Sequence, residues 1–260
     1  MTATHLVVQG PALADAHIAW MAARVGASRV ERLGAEAARL HHAARDPDLP
    51  AYCAEAGLDF GYVPVTARFA DFRLIAMDMD STLITIECID EIADLAGIKP
   101  EVAAITTAAM RGEIDFPESL RRRVALLAGL GETALAQVYD ERLRLSPGAE
   151  PLLARARETG ARTLLVSGGF TFFTDRLKVR LGLDATLSNV LEIVDGRLTG
   201  AVRGAIVDAH AKAAAVRRMR ESLGLQAAQV LVLGDGANDL AMMAEAGVSI
   251  AYRAKPVVRE

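Results

Sequence analysis

Cysteine is scarce in this chain. Its 260 residues include two cysteines, Cys53 and Cys88, far apart and in unrelated segments. No C-x-x-C spacing occurs, so neither a cysteine-based zinc site nor a disulfide framework is indicated. Both thiols are expected to be free and reduced, as in a cytoplasmic protein. Aromatic residues make up only 5%, so the core must be packed from the Ala, Leu and Val that dominate a hydrophobic fraction of 52%. A basic excess is also missing: the net charge is −4, and the only basic runs are Arg121-Arg122-Arg123 and Arg217-Arg218. Both lie in helix-like segments and read as solvated faces. A general nucleic-acid binder carries a basic stripe, and none is visible. No apolar run approaches the roughly 18 residues of a membrane span. The opening Met1-Thr2-Ala3-Thr4-His5 lacks the basic and apolar regions of a secretory leader. The expectation is a cytoplasmic protein with no membrane and no nucleic-acid partner.

What is present divides in two. Residues 1–68 alternate short apolar strands with helical stretches: strands at 5–8, 28–33, 38–43 and 60–65, helices at 12–25 and 49–56. The order βαββαβ is that of a ferredoxin-like unit. Residues 66–71 read as a linker, and a second unit runs over 72–260. It opens on the apolar strand 72–77, continues with helical sequence over about 87–145, and then alternates strands with helices. Strands fall at 162–166, 230–233 and 248–251, helices at 149–159, 171–181, 209–223 and 239–246. Segments 189–194 and 197–202 flank Asp195-Gly196, a hairpin signal. Alternation of this kind predicts an α/β fold with a Rossmann-like, doubly wound parallel sheet, whose ligands sit beyond the carboxyl ends of the strands.

Three of those strands end in unusual polar sequence: Asp78-Met79-Asp80-Ser81-Thr82-Leu83, Ser167-Gly168-Gly169, and Gly234-Asp235-Gly236-Ala237-Asn238-Asp239. Side by side, they bring several carboxylates and a small-residue loop to one edge. Clustered carboxylates repel one another unless a cation lies among them. Oxygen ligands without His or Cys favour a hard ion, and Mg²⁺ suits a few carboxylates plus a substrate phosphate. The expected ligands are Asp78, Asp235 and the backbone carbonyl of Asp80. Asp239 reads equally well as a helix N-cap. Of Asp78 and Asp80, one can attack phosphorus while the other donates a proton to the leaving oxygen. Ser167, Gly168 and Gly169 offer a hydroxyl and N–H groups suited to phosphate. From its position alone, Lys212 reads as an exposed surface lysine.

These motifs, in this order, resemble the haloacid-dehalogenase-like (HAD) phosphatase superfamily, and more closely its phosphoserine phosphatase family, over about residues 72–255. Asp195-Gly196-Arg197-Leu198-Thr199-Gly200 and Glu87 extend the likeness. The resemblance implies Mg²⁺-dependent hydrolysis of O-phospho-L-serine, the last step of serine biosynthesis, through an aspartyl-phosphate on Asp78, with Asp80 as acid and then base. It implies that Ser167, Gly168 and Lys212 hold the phosphoryl group, and that Asp235 holds the metal with Asn238 and Asp239 alongside. It makes residues 87–145 a helical cap in which Glu87 meets the substrate ammonium and Arg123 its carboxylate, while Met110 and Phe116 cover the pocket. An Arg suits a carboxylate through its two-pronged donor geometry. Residues 1–68 resemble, in position and strand order, the ACT-like domain that precedes many bacterial members. The family places a further strand and helix after 248–251, and the bare sheet edge expected here allows a homodimer. Three other readings are phosphotransfer to another amino alcohol, hydrolysis of a different small phosphomonoester, and an amino-acid sensor built on the first unit.

Overall fold

The computed structural model describes residues 3–259. It separates into two compact units, the first up to Phe69 and the second from Ala70.

The first unit is built from β1 (Thr4–Gln9), α1 (Asp15–Arg24), β2 (Arg29–Arg32), β3 (Ala37–His41), α2 (Leu49–Ala56) and β4 (Asp59–Pro64). Its sheet has the order β2-β3-β1-β4, antiparallel throughout. This is the expected ferredoxin-like arrangement, with each strand placed within two residues of its sequence reading. Alternation in β1 turns Leu6 and Val8 inward, where they meet Leu40 of β3 and Ile18, Met21, Leu49 and Cys53 of the helices. On the helical side Trp20 stacks on Tyr52, with ring centroids 3.7 Å apart and planes 12° apart.

In the second unit β5 (Leu74–Met77) leads into the cap helices α3 (Cys88–Leu95), α4 (Lys99–Met110), α5 (Phe116–Ala125) and α6 (Glu132–Gln137). The chain returns through α7 (Ala149–Thr159), β6 (Arg162–Phe170), α8 (Thr171–Leu181), β7 (Ala185–Val194), β8 (Arg197–Arg203), α9 (Ala209–Ser222), β9 (Val230–Gly234), α10 (Leu240–Met243), β10 (Val248–Ala251) and α11 (Pro256–Arg259). The sheet order is β10-β9-β5-β6-β7-β8, parallel except for β8. Every residue of β5 and β9 is buried, which is why both read as unbroken apolar runs. Between β7 and β8 the turn places Asp195 at φ 49° and Gly196 at φ 72°. Left-handed values at both central positions match the twist of a tight hairpin.

Two differences from the sequence reading concern the site. The segment Ser167-Gly168-Gly169 is not a free loop but the last part of β6, where the register to β7 shifts between Val166 and Phe170. The helix expected over 239–246 is shorter: a single 3₁₀ turn at Ala237–Asp239 precedes α10, which ends at Met243. The cap leaves and rejoins the core through an antiparallel bridge between Ile84 and Leu145. Its far side is tied to the β7–β8 hairpin by Gly129 N–H to Leu198 O and Leu198 N–H to Leu130 O, each 2.8 Å.

Candidate active site

The central strands β9, β5 and β6 carry the three polar motifs at their carboxyl ends, so the topology alone brings them together. Asp78 follows β5 directly, and its N–H bonds Leu233 O of β9 at 3.1 Å. After it the chain makes one wide turn, with Asp80 extended and Ser81 left-handed at φ 56°. The turn closes through Ile84 N–H to Met79 O at 3.0 Å. It allows two carboxylates two residues apart to serve one site.

Lys212 corrects the reading as a surface lysine. Its side chain is 1% exposed, and Nζ donates to Asp78 Oδ1 at 2.7 Å and to Asp239 Oδ1 at 2.9 Å. Asp208 caps α9 by accepting the Ala211 N–H at 2.8 Å, which fixes the first turn from which Lys212 reaches inward. Burial alone would lower the ammonium pKa, but Asp78 and Asp239 outweigh it and keep the group charged.

Asp239 is not the helix cap that its position allowed. No helix N–H reaches its side chain; instead Oδ2 accepts the N–H groups of Asp235 and Gly236, both at 3.0 Å. It turns back onto the loop and holds it. Gly234 permits this, because a Cβ there would lie 2.5 Å from Asp239 Cβ. Asp235 in turn accepts the buried Thr82 hydroxyl at 3.0 Å, linking the β5 and β9 motifs. Asn238 donates to Asp239 Oδ1 at 3.4 Å.

Asp78, Asp235 and Asp239 each present a carboxylate oxygen such that the three oxygens lie within 4.8 Å of one another. Among the described residues no other group of His, Cys, Asp or Glu converges in this way. An all-carboxylate donor set fits a hard divalent cation. Asp239 already receives Lys212 and two N–H groups, so Asp78 and Asp235 are the members with capacity to ligate. Burial pushes Asp78 up to about 7 against the pull of Lys212, with the Asp239 charge adding to the rise. Burial and then Asp239 raise Asp235 as well, with the Thr82 hydroxyl opposing.

Asp80 is held from the start of the cap. Its Oδ1 accepts the Cys88 N–H at 2.9 Å, at the start of α3. Burial, then the charges of Glu87 and Asp78, push its carboxyl up to about 8. A Cβ on Gly169 would lie 2.9 Å from Asp80 Oδ2 and 3.0 Å from Ser167 Oγ, so these three groups share one small space. The Ser167 hydroxyl accepts the Gly169 N–H at 2.8 Å. The Gly168 carbonyl accepts Asn189 Nδ2 at 2.8 Å, while Asn189 Oδ1 accepts the Val207 N–H at 2.8 Å. Asn189, buried in β7, thus ties the end of β6 to the loop before α9. The sequence offered no signal for it: Asn189 is one of several polar residues in β7, beside Thr186, Ser188 and Glu192.

From the cap, the Phe116 ring lies against Gly168, where an added Cβ would be 3.0 Å from Cζ. Glu87 accepts the Ser81 hydroxyl at 2.8 Å and is raised, chiefly by burial. Burial lowers Arg123, against the charges of Asp90, Glu87 and Asp80, which raise it. Met110 is different. Expected over the pocket, it is 75% exposed at the end of α4, just before Gly112 turns the chain at φ 75°.

Comparison with known proteins agrees with this geometry. The haloacid dehalogenase-like hydrolase family matches residues 75–244, and a domain of unknown function (DUF4072) matches residues 6–50. A phosphoserine phosphatase of a Polaromonas species is 57% identical over 198 residues, covering 74% of this chain and 84% of its own. Among solved structures, a probable phosphoserine phosphatase from Vibrio cholerae is 39% identical with a TM-score of 0.83, over 99% of this chain and 80% of that one. A phosphoserine phosphatase solved as an analogue of its phospho-aspartyl intermediate is 38% identical with a TM-score of 0.67, over 72% of this chain and 90% of that one. Extended over the whole catalytic unit, this agreement in sequence and fold has one reading: the chain belongs to the haloacid dehalogenase-like hydrolases and, within them, groups with the phosphoserine phosphatases.

Proposed function

We propose that the chain hydrolyses O-phospho-L-serine to L-serine and phosphate, with Asp78 as nucleophile. The observation that carries the reading is the buried Lys212 ammonium shared between Asp78 and Asp239, beside Asp235, at the ends of two adjacent parallel strands. Lys212 aims one oxygen of Asp78 and offsets its charge, leaving the other oxygen to attack phosphorus. As the new O–P bond forms, the bond from phosphorus to the serine oxygen breaks. Asp80, protonated near neutral pH, gives its proton to that oxygen. The resulting carboxylate then takes a proton from water as the water oxygen attacks phosphorus, releasing phosphate and restoring Asp78. Ser167 and the backbone of Gly168, with Lys212, hold the phosphoryl oxygens, and Phe116 excludes water above them. Glu87 and Arg123 pair with the substrate ammonium and carboxylate.

Asp78 and Asp235, with the carbonyl of Asp80, would hold Mg²⁺, which when bound reduces the charge repulsion between nucleophile and phosphate. Residues 1–68 form, on this reading, an ACT-like unit preceding the catalytic one. Among the described residues no helix is long and apolar enough to cross a membrane.

The test is phosphate release from a panel of phosphoserine, phosphothreonine and sugar phosphates, with Mg²⁺ and with chelator. Phosphoserine should be the preferred substrate, and activity should require Mg²⁺. Asp78→Asn should abolish turnover; an active Asp78→Asn enzyme would remove the nucleophile assignment.

A further inference from the structure

Ser119, in the middle of α5, is 1% exposed, and among the described residues its hydroxyl is the buried side-chain group without a hydrogen-bond partner. Leaving a buried hydroxyl unpaired costs free energy that a folded protein rarely concedes without cause. Its position in the helix indicates the cause. Residues three and four apart share a helix face, so Phe116, Ser119 and Arg123 lie along one stripe. Both ends of that stripe are located. The Phe116 ring rests on Gly168, and Arg123, largely desolvated, feels the charges of Asp90, Glu87 and Asp80. Ser119 stands between them, one turn from each, and Arg123 Nε lies 3.4 Å from the Ser119 carbonyl. The adjoining buried positions on α5, Leu120 and Val124, are apolar and form the cap core.

We propose that the Ser119 hydroxyl is a substrate-binding donor: it hydrogen-bonds the carboxylate of the amino-acid head that Arg123 holds. The inference rests on the phosphoserine reading above. A carboxylate has about four acceptor sites, and a guanidinium fork fills two of them. A buried hydroxyl one helical turn from the fork can supply a third bond. Its unpaired state in the free protein is then a desolvation cost met before the substrate arrives, so pairing it strengthens binding.

The sign of two measurements on Ser119→Ala separates this from a structural role. Deleting an unpaired buried hydroxyl leaves the melting temperature unchanged or higher, whereas deleting a structural hydrogen bond lowers it. The same variant should raise KM for phosphoserine roughly tenfold, as expected for one bond to a charged group, with kcat nearly unchanged. For phosphoethanolamine, which lacks the carboxylate, KM should not move. Calorimetric Kd values for phosphoserine, measured in both proteins, keep the test independent of turnover. A wild-type enzyme that ignores phosphoserine would sink the functional reading, and equal Kd values would still decide against Ser119. A Ser119→Ala enzyme with phosphoserine KM and Kd within twofold of wild type overturns the inference, as does an equal loss on both substrates.

Discussion

Replacing Lys212 by Met tests the centre of the site most directly. Methionine keeps the length of the aliphatic stem and removes the ammonium, so packing is nearly conserved while two contacts are lost, at 2.7 Å to Asp78 and 2.9 Å to Asp239. All three groups are almost fully buried, with Lys212 at 1% and Asp239 at 0%. Removing one partner of such a buried group costs about 3–5 kcal/mol, because the remaining charge is left uncompensated. Two features favour the lower end. Asp239 keeps its two backbone N–H donors, and Asp78, already raised to about 7, can take up a proton instead of remaining charged. For a unit of this size about 3 kcal/mol corresponds to a fall of roughly 6–12 °C in melting temperature. Circular dichroism melts of the wild type and Lys212→Met at pH 7.5, with and without millimolar Mg²⁺, read it. The cation should restore part of the loss by supplying positive charge where the ammonium was. Arg217→Met is the control, since Arg217 pairs with Glu245 at the surface with its side chain 53% exposed. An exposed pair of that kind is worth about 0–1 kcal/mol. A Lys212→Met melt no lower than that of Arg217→Met would refute the reasoning.

Two further outcomes follow from neighbouring contacts. Asn189→Asp replaces the donor to Gly168 O with an acceptor while leaving the oxygen that receives the Val207 N–H. It should weaken inhibition by inorganic phosphate in parallel with a rise in KM, and a changed melting temperature with unchanged phosphate inhibition would show that Asn189 serves the framework alone. Cys53 and Cys88 are each 1% exposed; burial pushes the Cys53 thiol up to about 11, and burial with the Asp80 charge pushes Cys88 well above the usual range. Neither thiol should react with iodoacetamide in the native protein at pH 8, and both should react in urea; native alkylation detected by mass spectrometry would contradict the packing.

The parts of the fold that are legible in the sequence share a physical cause. β5 and β9 are buried on both faces, and full burial leaves an unbroken apolar run that few other settings produce. The hairpin is legible because Asp-Gly is one of few pairs that tolerate two left-handed residues. What escapes depends on contacts distant in sequence. Lys212 becomes buried only because two loops, 134 and 27 residues away, place carboxylates at its tip. Nothing in His210-Ala211-Lys212 announces that. Asp239 cannot be separated from a helix cap by position, since the choice rests on which N–H groups its side chain turns toward. Asn189 reads as ordinary until its two partners, on β6 and before α9, are known. Met110, which the resemblance sets over the pocket, stands exposed at the end of α4.

The stacked pair of Trp20 and Tyr52 makes the molecule self-reporting. The chain has one tryptophan, and it lies in the first unit, between the helices that cover the small sheet. All indole emission therefore originates there, and the catalytic unit is dark at those wavelengths. An amino acid that settles on the first unit near the stack alters the emission, whereas one held under the cap leaves it unchanged. Titrating L-serine while watching one fluorophore thus assigns a binding event to its unit without cutting the chain, and tells a sensing module from a silent one.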